Sequence, residues 1–197
     1  MTNPPRGQPP VDLQTDRFRL RTLRPDDASE RWAGWAKDPD IMNGLNAPVR
    51  DMSRQDLAKY AAGFDNRSRL LIGVFEKQSG LHIGFFMVEV DGVHRRATIH
   101  PAIGDKAWWG KGAVNECRAA LLDYFFNERG IEKAFGVPPS NNAAAISTLK
   151  KQGWRHEGTL RGHLRSLTDA SQARLDQDQY GLLREEWAAL RNKQGSG

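Results

Sequence analysis

The chain has 197 residues, enough for one domain with its own apolar core. Its 39% hydrophobic and 27% charged residues are those of an ordinary soluble protein, and no apolar run reaches membrane-spanning length, so no membrane partner is expected. The formal charge of +5 is moderate and the Lys and Arg residues are scattered, which argues for a solvated surface and against a nucleic-acid partner.

Residues 1–10 carry four prolines and no apolar segment of signal-peptide type, so 1–14 is expected to be a disordered leader. Phe18, Leu20 and Thr22 then alternate with Arg17, Arg19 and Arg21, the pattern of a half-exposed strand. Pro25-Asp26-Asp27 reads as a helix start, with Trp32 and Trp35 on one side of the helix that follows. Residues 38–50, rich in Asn, Pro and Gly, read as loop. Ser53 and Asp56 supply a cap and an acidic first turn for a second helix ending near Gly63.

Strands are expected over 70–76 and 81–90, joined by Lys77-Gln78-Ser79-Gly80, with Asp91-Gly92 turning into a third over 95–103. A helix over 111–129 carries Leu121, Leu122, Phe125 and Phe126 and stops at Gly130. The single cysteine, Cys117, lies on its face with Ala113, Ala120, Leu121 and Tyr124 and reads as a core residue; one cysteine also excludes an internal disulfide and fits the cytoplasm. The strand over 131–137 should run parallel to the one before this helix, because a helix-length crossover separates them. A helix over 141–152, strands over 154–161 and 178–184, and Glu185-Glu186-Trp187 follow. No internal repeat is visible; 15–190 reads as one mixed α/β domain and 191–197 as a flexible tail.

The chemistry concentrates in Trp108-Trp109-Gly110-Lys111-Gly112-Ala113-Val114-Asn115-Glu116. Two glycines open an apolar helix directly after a strand, where free N–H groups and the positive end of the helix dipole attract phosphate. Lys111 adds a cation. The nucleoside-triphosphate loop is excluded: five residues instead of four separate Gly104 from Gly110-Lys111, and Gly112 stands where a hydroxyl is required. The dinucleotide fingerprint is excluded too, since Asn115 replaces its third glycine and the next strand ends in Pro138-Pro139 rather than at an acid.

The stretch resembles the acyl-CoA pyrophosphate loop of the GCN5-related N-acetyltransferases, Arg/Gln-x-x-Gly-x-Gly/Ala, with Gly110 and Gly112 in place and Ala107 at the leading position. A second segment, Asn142 through Ser147, Leu149 and Lys151 to Gly153-Trp154, then Glu157-Gly158 and Arg161, is similar to another pattern of the same family, with Ala145 where Ser is usual. The ending, Asp178-x-Tyr180 to Glu186-Trp187, resembles its RimJ/RimL-like branch of ribosomal-protein N-terminal acetyltransferases. The resemblance implies a mixed α/β fold: a mostly antiparallel central sheet of about six to seven strands, a splayed parallel pair at its centre, and about four flanking helices.

It also implies acetyl-CoA or another acyl-CoA as co-substrate and an amine acceptor, either a protein N-terminus or a small molecule, attacked directly in a ternary complex. The CoA arm would lie in the gap between the splayed strands, with N–H groups near Ala102 and Ile103 polarising the thioester carbonyl. Gly104, Trp109, Gly110, Lys111, Gly112, Ala113 and Val114 would hold the phosphates, and Asn142 would face the arm; Asn142 reads equally as a helix N-cap. Thr98 stands where several relatives carry Glu, leaving His100 as the nearest base, unless it is simply a packed strand residue. Glu89 and Glu157 are alternative bases, each more simply a solvated strand-face residue. Asn142 or Ser147 would serve the thiolate.

No metal is expected, since His82, His94, His156 and His163 lack partners at ligand spacing. Trp108 and Trp109 flank an adenine or pack beneath the helix; Trp32, Trp35 and the loop 42–48 should line the acceptor side. Asp38, Asp40, Asp51 and Asp56 would favour a polyamine acceptor, but Arg50 and Arg54 interrupt them. The resemblance leaves room for a homodimer. The competing reading is a catalytically idle CoA-binding or protein-interaction module, to which the departures at Ala107, Ala145 and Thr98 point.

Overall fold

The computed structural model describes residues 9–195. Its elements are β1 (Asp12–Gln14), β2 (Phe18–Thr22), a 3-10 turn (Pro25–Asp27), α1 (Glu30–Lys37), α2 (Pro39–Gly44), α3 (Arg54–Ala62), β3 (Arg69–Glu76), β4 (His82–Asp91) and β5 (Arg96–Ile103). They continue with α4 (Ala113–Asn127), β6 (Lys133–Gly136), α5 (Ala143–Lys151), β7 (Arg155–Arg165), β8 (Arg174–Leu183) and α6 (Arg184–Gly195). The strands form one sheet in the order β1-β2-β3-β4-β5-β6-β8-β7, antiparallel everywhere except at β5–β6.

Local chemistry accounts for most element boundaries. Ser53 and Asp56 form a reciprocal capping box at the start of α3. The segment expected to be loop contains α2, because Asp38 accepts from the N–H groups of Asp40 and Ile41 while Pro39 occupies the first helical position. Ile41 anchors that short helix in the core. The eighth strand, beyond the six or seven expected, is β1: Asp12–Gln14 pairs with β2, and the Arg19 guanidinium binds the Asp12 carboxylate at 2.7 Å. The sheet therefore begins inside the segment expected to be a leader, whose first eight residues lie outside the described ones. Among the described residues six helices flank the sheet rather than four, and α6 continues to Gly195, through residues expected to form a tail. No helix of the described residues is long and apolar enough to cross a membrane.

The two faces of the sheet bury separate cores. On one, Phe18, Ile72, Phe86, Ile99 and Leu182 pack against Cys117, Leu121 and Phe125 of α4, Leu149 of α5 and Trp187 of α6. On the other, Leu71, with partly buried Phe85 and Met87, packs against Trp32, Trp35, Ile41 and Leu57 of α1–α3. Burying such side chains contributes about 1.5–3 kcal/mol each.

β5 and β6 pair only at Arg96↔Lys133, Ala97↔Ala134 and Thr98↔Phe135. Beyond them β5 continues along β4 without a register shift, whereas the chain after β6 turns toward β8: Val137 O accepts from Gln177 Nε2 and Pro138 O from Asp178 N–H. The expected splay is present, and among the described residues no strand pairs with the last five residues of β5 on that side.

Candidate active site

The register decides which backbone groups line the gap. Gly104 N–H donates to Ile83 O at 3.0 Å, and antiparallel pairs alternate between hydrogen-bonded and non-bonded. The N–H groups of His100 and Ala102 therefore point to β4, and those of Ile99 and Ile103 point into the gap. Of the two donors expected to polarise a carbonyl there, Ile103 faces the gap and Ala102 is engaged in the sheet. Pro101 falls on the gap side, so its missing donor removes nothing from the β4–β5 ladder.

At the far end of the gap stands the start of α4. Gly110 and Gly112 have φ of 72° and 77°, and a Cβ would meet nothing within 4 Å at Gly110 and only Arg17 at 3.8 Å at Gly112; glycine is required by conformation rather than by crowding. Gly112 is the N-cap and provides no side-chain cap, and Glu116 N–H makes the first bond of the helix, to Gly112 O. Among the described residues no acceptor engages the N–H groups of Ala113, Val114 and Asn115, so they remain available to an anion. Lys111 is exposed beside them, and Trp109 Nε1 donates to Ile103 O at 2.8 Å, drawing the loop against the end of β5.

One arrangement here was not legible in the sequence. Arg17, just before β2, donates from Nε to Glu116 (2.7 Å) and from Nη2 to Lys111 O (3.0 Å). Burial opposes ionisation of Glu116, but hydrogen bonds from Thr15 and Arg17 outweigh it and hold the carboxyl below its usual range. The acid in the first turn of α4 thus carries its own counter-ion, leaving the adjacent N–H groups electropositive.

His100 shares a strand face with Ala102, which lines a cavity of ≈ 420 Å³ between the sheet and α1–α3. Burial lowers the His100 pKa, with Glu89 partly opposing, so the imidazole is neutral at physiological pH and free to accept a proton. Gly104, at the inner end of this cavity, lies under the Trp35 indole: a Cβ would come within 1.9 Å of it. Behind that wall sits His82, 8% exposed, stacked on Phe75 at 4.8 Å and flanked by Trp32 and Trp35. Among the described residues neither His82 nitrogen has a hydrogen-bond partner, and burial depresses its pKa to about 4 despite the nearby Gly84 backbone and Asp27.

A family model described as "Acetyltransferase (GNAT) domain" matches residues 17–155. The chain belongs to the GNAT acetyltransferase family. This N-acetyltransferase is 27% identical over 184 residues to the uncharacterized N-acetyltransferase p20 of Bacillus licheniformis, covering 89% of this chain and 98% of that one. Its fold is similar to that of a spermidine N-acetyltransferase from Vibrio cholerae, in complex with CoA and spermine, with TM-score 0.75, 20% identity, and 87% and 98% of the two chains covered. It is also similar in fold to the ribosomal-protein-S5-alanine acetyltransferase from Vibrio fischeri, with TM-score 0.76, 13% identity, and 90% and 98% covered. The family uses acetyl-CoA, and the donors around the gap and the α4 start fit it.

The remaining expected site residues of the acetyltransferase lie on α5, on β4 and on the edge strand β7. Asn142 is the N-cap of α5, accepting from Ala145 N–H at 3.0 Å while its amide donates to Gly44 O at 2.9 Å. Ser147 is half-buried one helical turn further on. Glu157 forms an ion pair with Lys133 at 2.6 Å, which ties it to the sheet surface, and Glu89 is exposed. The described residues contain no group of three or more His, Cys, Asp or Glu placed to hold a metal ion. Arg118 was also unanticipated: fully buried in α4, it binds Gln152, Asn115 and Thr148 O and stacks over Trp154, fastening α4 to α5. Burial lowers its pKa, yet a guanidinium so hydrogen-bonded keeps its proton at neutral pH.

Proposed function

We propose that this enzyme acetylates a primary amine, of a protein N-terminus or a small molecule, by direct attack in a ternary complex with acetyl-CoA, as a RimJ/RimL-like member of its family. The observation that carries this is the junction of two donor sets. The unengaged N–H groups of Ala113, Val114 and Asn115 suit a diphosphate, and those of Ile99 and Ile103 suit an extended arm lying in the β5–β6 gap. Both branch acceptors are represented among the structural neighbours, by the alanine and spermidine acetyltransferases.

Acetyl-CoA supplies an activated thioester. Ile103 N–H polarises its carbonyl, His100 takes the amine proton through water, and Asn142 or Ser147 donates a hydrogen bond to the departing sulfur. The C–N bond forms as the C–S bond breaks, one proton leaves the nitrogen and one reaches the thiolate. Positioning provides most of the rate, and His100 adds to it.

The test is calorimetric titration with acetyl-CoA, succinyl-CoA and CoA, followed by free-thiol release from acetyl-CoA across an amine panel for the parent and His100→Ala. Acetyl-CoA is expected to bind at least as tightly as the others, and the acidic limb of the kcat/KM profile to disappear in the variant. Absence of binding refutes the cofactor site; an unchanged pH profile refutes His100 as base.

A further inference from the structure

The cavity beside the proposed thioester position has a chemistry that the acceptor must match. Its wall is built from Trp32, Trp35, Ile41, Met42, Leu57 and Phe85, and its inner end is Ala102 and Gly104. Of the described residues that line it, Arg50 alone carries a formal charge, exposed at the rim, and none is acidic. The carboxylates that the sequence places nearby are engaged elsewhere. Asp38 and Asp40 bind Lys106 at 2.8 and 2.6 Å, Asp51 binds Lys37 at 2.7 Å, and Asp56 caps α3.

The mouth is also constrained. Asn46 donates to Arg165 O at 2.9 Å and accepts from Leu167 N–H at 3.0 Å, and Thr168 binds Asn43 at 2.9 Å. With the Asn142–Gly44 bond, these contacts strap the loop after α2 across to the β7–β8 connection and to α5. Leu45 and Leu167, which line the cavity, are carried on the strapped segments. Holding these segments in place favours an acceptor small enough to enter between them over a polypeptide.

We infer that the acceptor is a small primary monoamine on an apolar body, an aryl-alkyl or branched alkyl amine. The inference rests on the acyl-transfer reading above and narrows its acceptor. A second ammonium, as in a polyamine, would enter a wall offering no carboxylate and would meet the like charge of Arg50. A single ammonium is desolvated by the same wall, which lowers its pKa and delivers the neutral amine that attack requires. The amine nitrogen then bonds to the acyl carbon as the C–S bond breaks, its proton leaving by His100 and water and the sulfur leaving as thiol.

The experiment measures thiol release from acetyl-CoA with phenethylamine, tryptamine, isoamylamine, spermidine and an alanine-initiated hexapeptide, using the full chain. The kcat/KM for the best apolar monoamine should exceed that for spermidine and for the peptide by on the order of 100-fold. In Leu45→Glu, an exposed wall position that tolerates charge, the spermidine-to-phenethylamine ratio should rise by about tenfold. Spermidine or the peptide as best acceptor overturns this inference while leaving acyl transfer intact. No thiol release with any amine, alongside acetyl-CoA binding, overturns both.

Discussion

Gly104→Ala tests whether the inner end of the proposed acceptor cavity is built by close packing. Gly104 has no left-handed backbone, so its glycine is required by space: the added Cβ would meet Trp35 Cδ2, Cε2 and Cγ at 1.9, 2.3 and 2.4 Å. The indole has little room to retreat, being 8% exposed with its ring 4.9 Å from that of His82. Overpacking of this kind costs about 1–3 kcal/mol. In a chain of this size each kcal/mol lowers Tm by about 2–4 °C, so a fall of roughly 2–12 °C is expected. Trp35 also lines the cavity, so KM for the amine should rise by more than acetyl-CoA affinity falls, because the α4 donors are untouched. Thermal unfolding and calorimetry read the two effects separately. Because Trp35→Leu removes the obstructing ring, the double variant should be more stable than the sum of the single losses predicts, by about 1 kcal/mol or more. A Tm within about 1 °C of the parent for Gly104→Ala, or strict additivity in the double variant, refutes the packing argument.

Gly112→Asp sets a carboxylate against the unengaged N–H groups of α4 and should weaken acetyl-CoA binding on the order of 100-fold by calorimetry; unchanged affinity in a folded variant removes the diphosphate from that helix start. His82 gives a pH dependence of stability. The unfolded chain takes up the imidazole proton near pH 6.5, and the folded chain refuses it until about pH 4, so the unfolded state binds more protons and stability falls as pH drops through that window. Urea unfolding should lose about 2 kcal/mol between pH 7 and pH 5 from this group, and His82→Phe should abolish that part. Equal losses in parent and variant would show that His82 is protonated in the fold.

Much of the fold was legible because its causes are local. The Ser53–Asp56 box, the alternation in β2 and the glycines before α4 are patterns within a few residues of one another. A parallel β5–β6 pair followed from the helix-length crossover alone. α2 was missed because Asp-Pro and Asn-Gly read as loop signals until an N-cap and a buried Ile41 convert the first of them into a helix start. β1 was missed because its three residues have no pattern of their own; a strand that short exists only by pairing with β2.

The sequence by itself determined the family motifs, the glycine-flanked helix start proposed to hold the diphosphate, and most strands, since these depend on backbone propensity and short-range capping. Only the tertiary structure decided which backbone groups are free. Whether Ala102 or Ile103 directs its N–H into the gap depends on a register set by a neighbouring strand, and one residue of slip would exchange them. It also decided the character of the proposed acceptor cavity. Asp38 and Asp40 are spent on Lys106, Glu116 on Arg17, and an apolar wall assembled from α1, α2, α3 and β4 remains. Those ion pairs join residues 66 to 99 positions apart, a separation at which charges written in the sequence have no partner until the chain has folded.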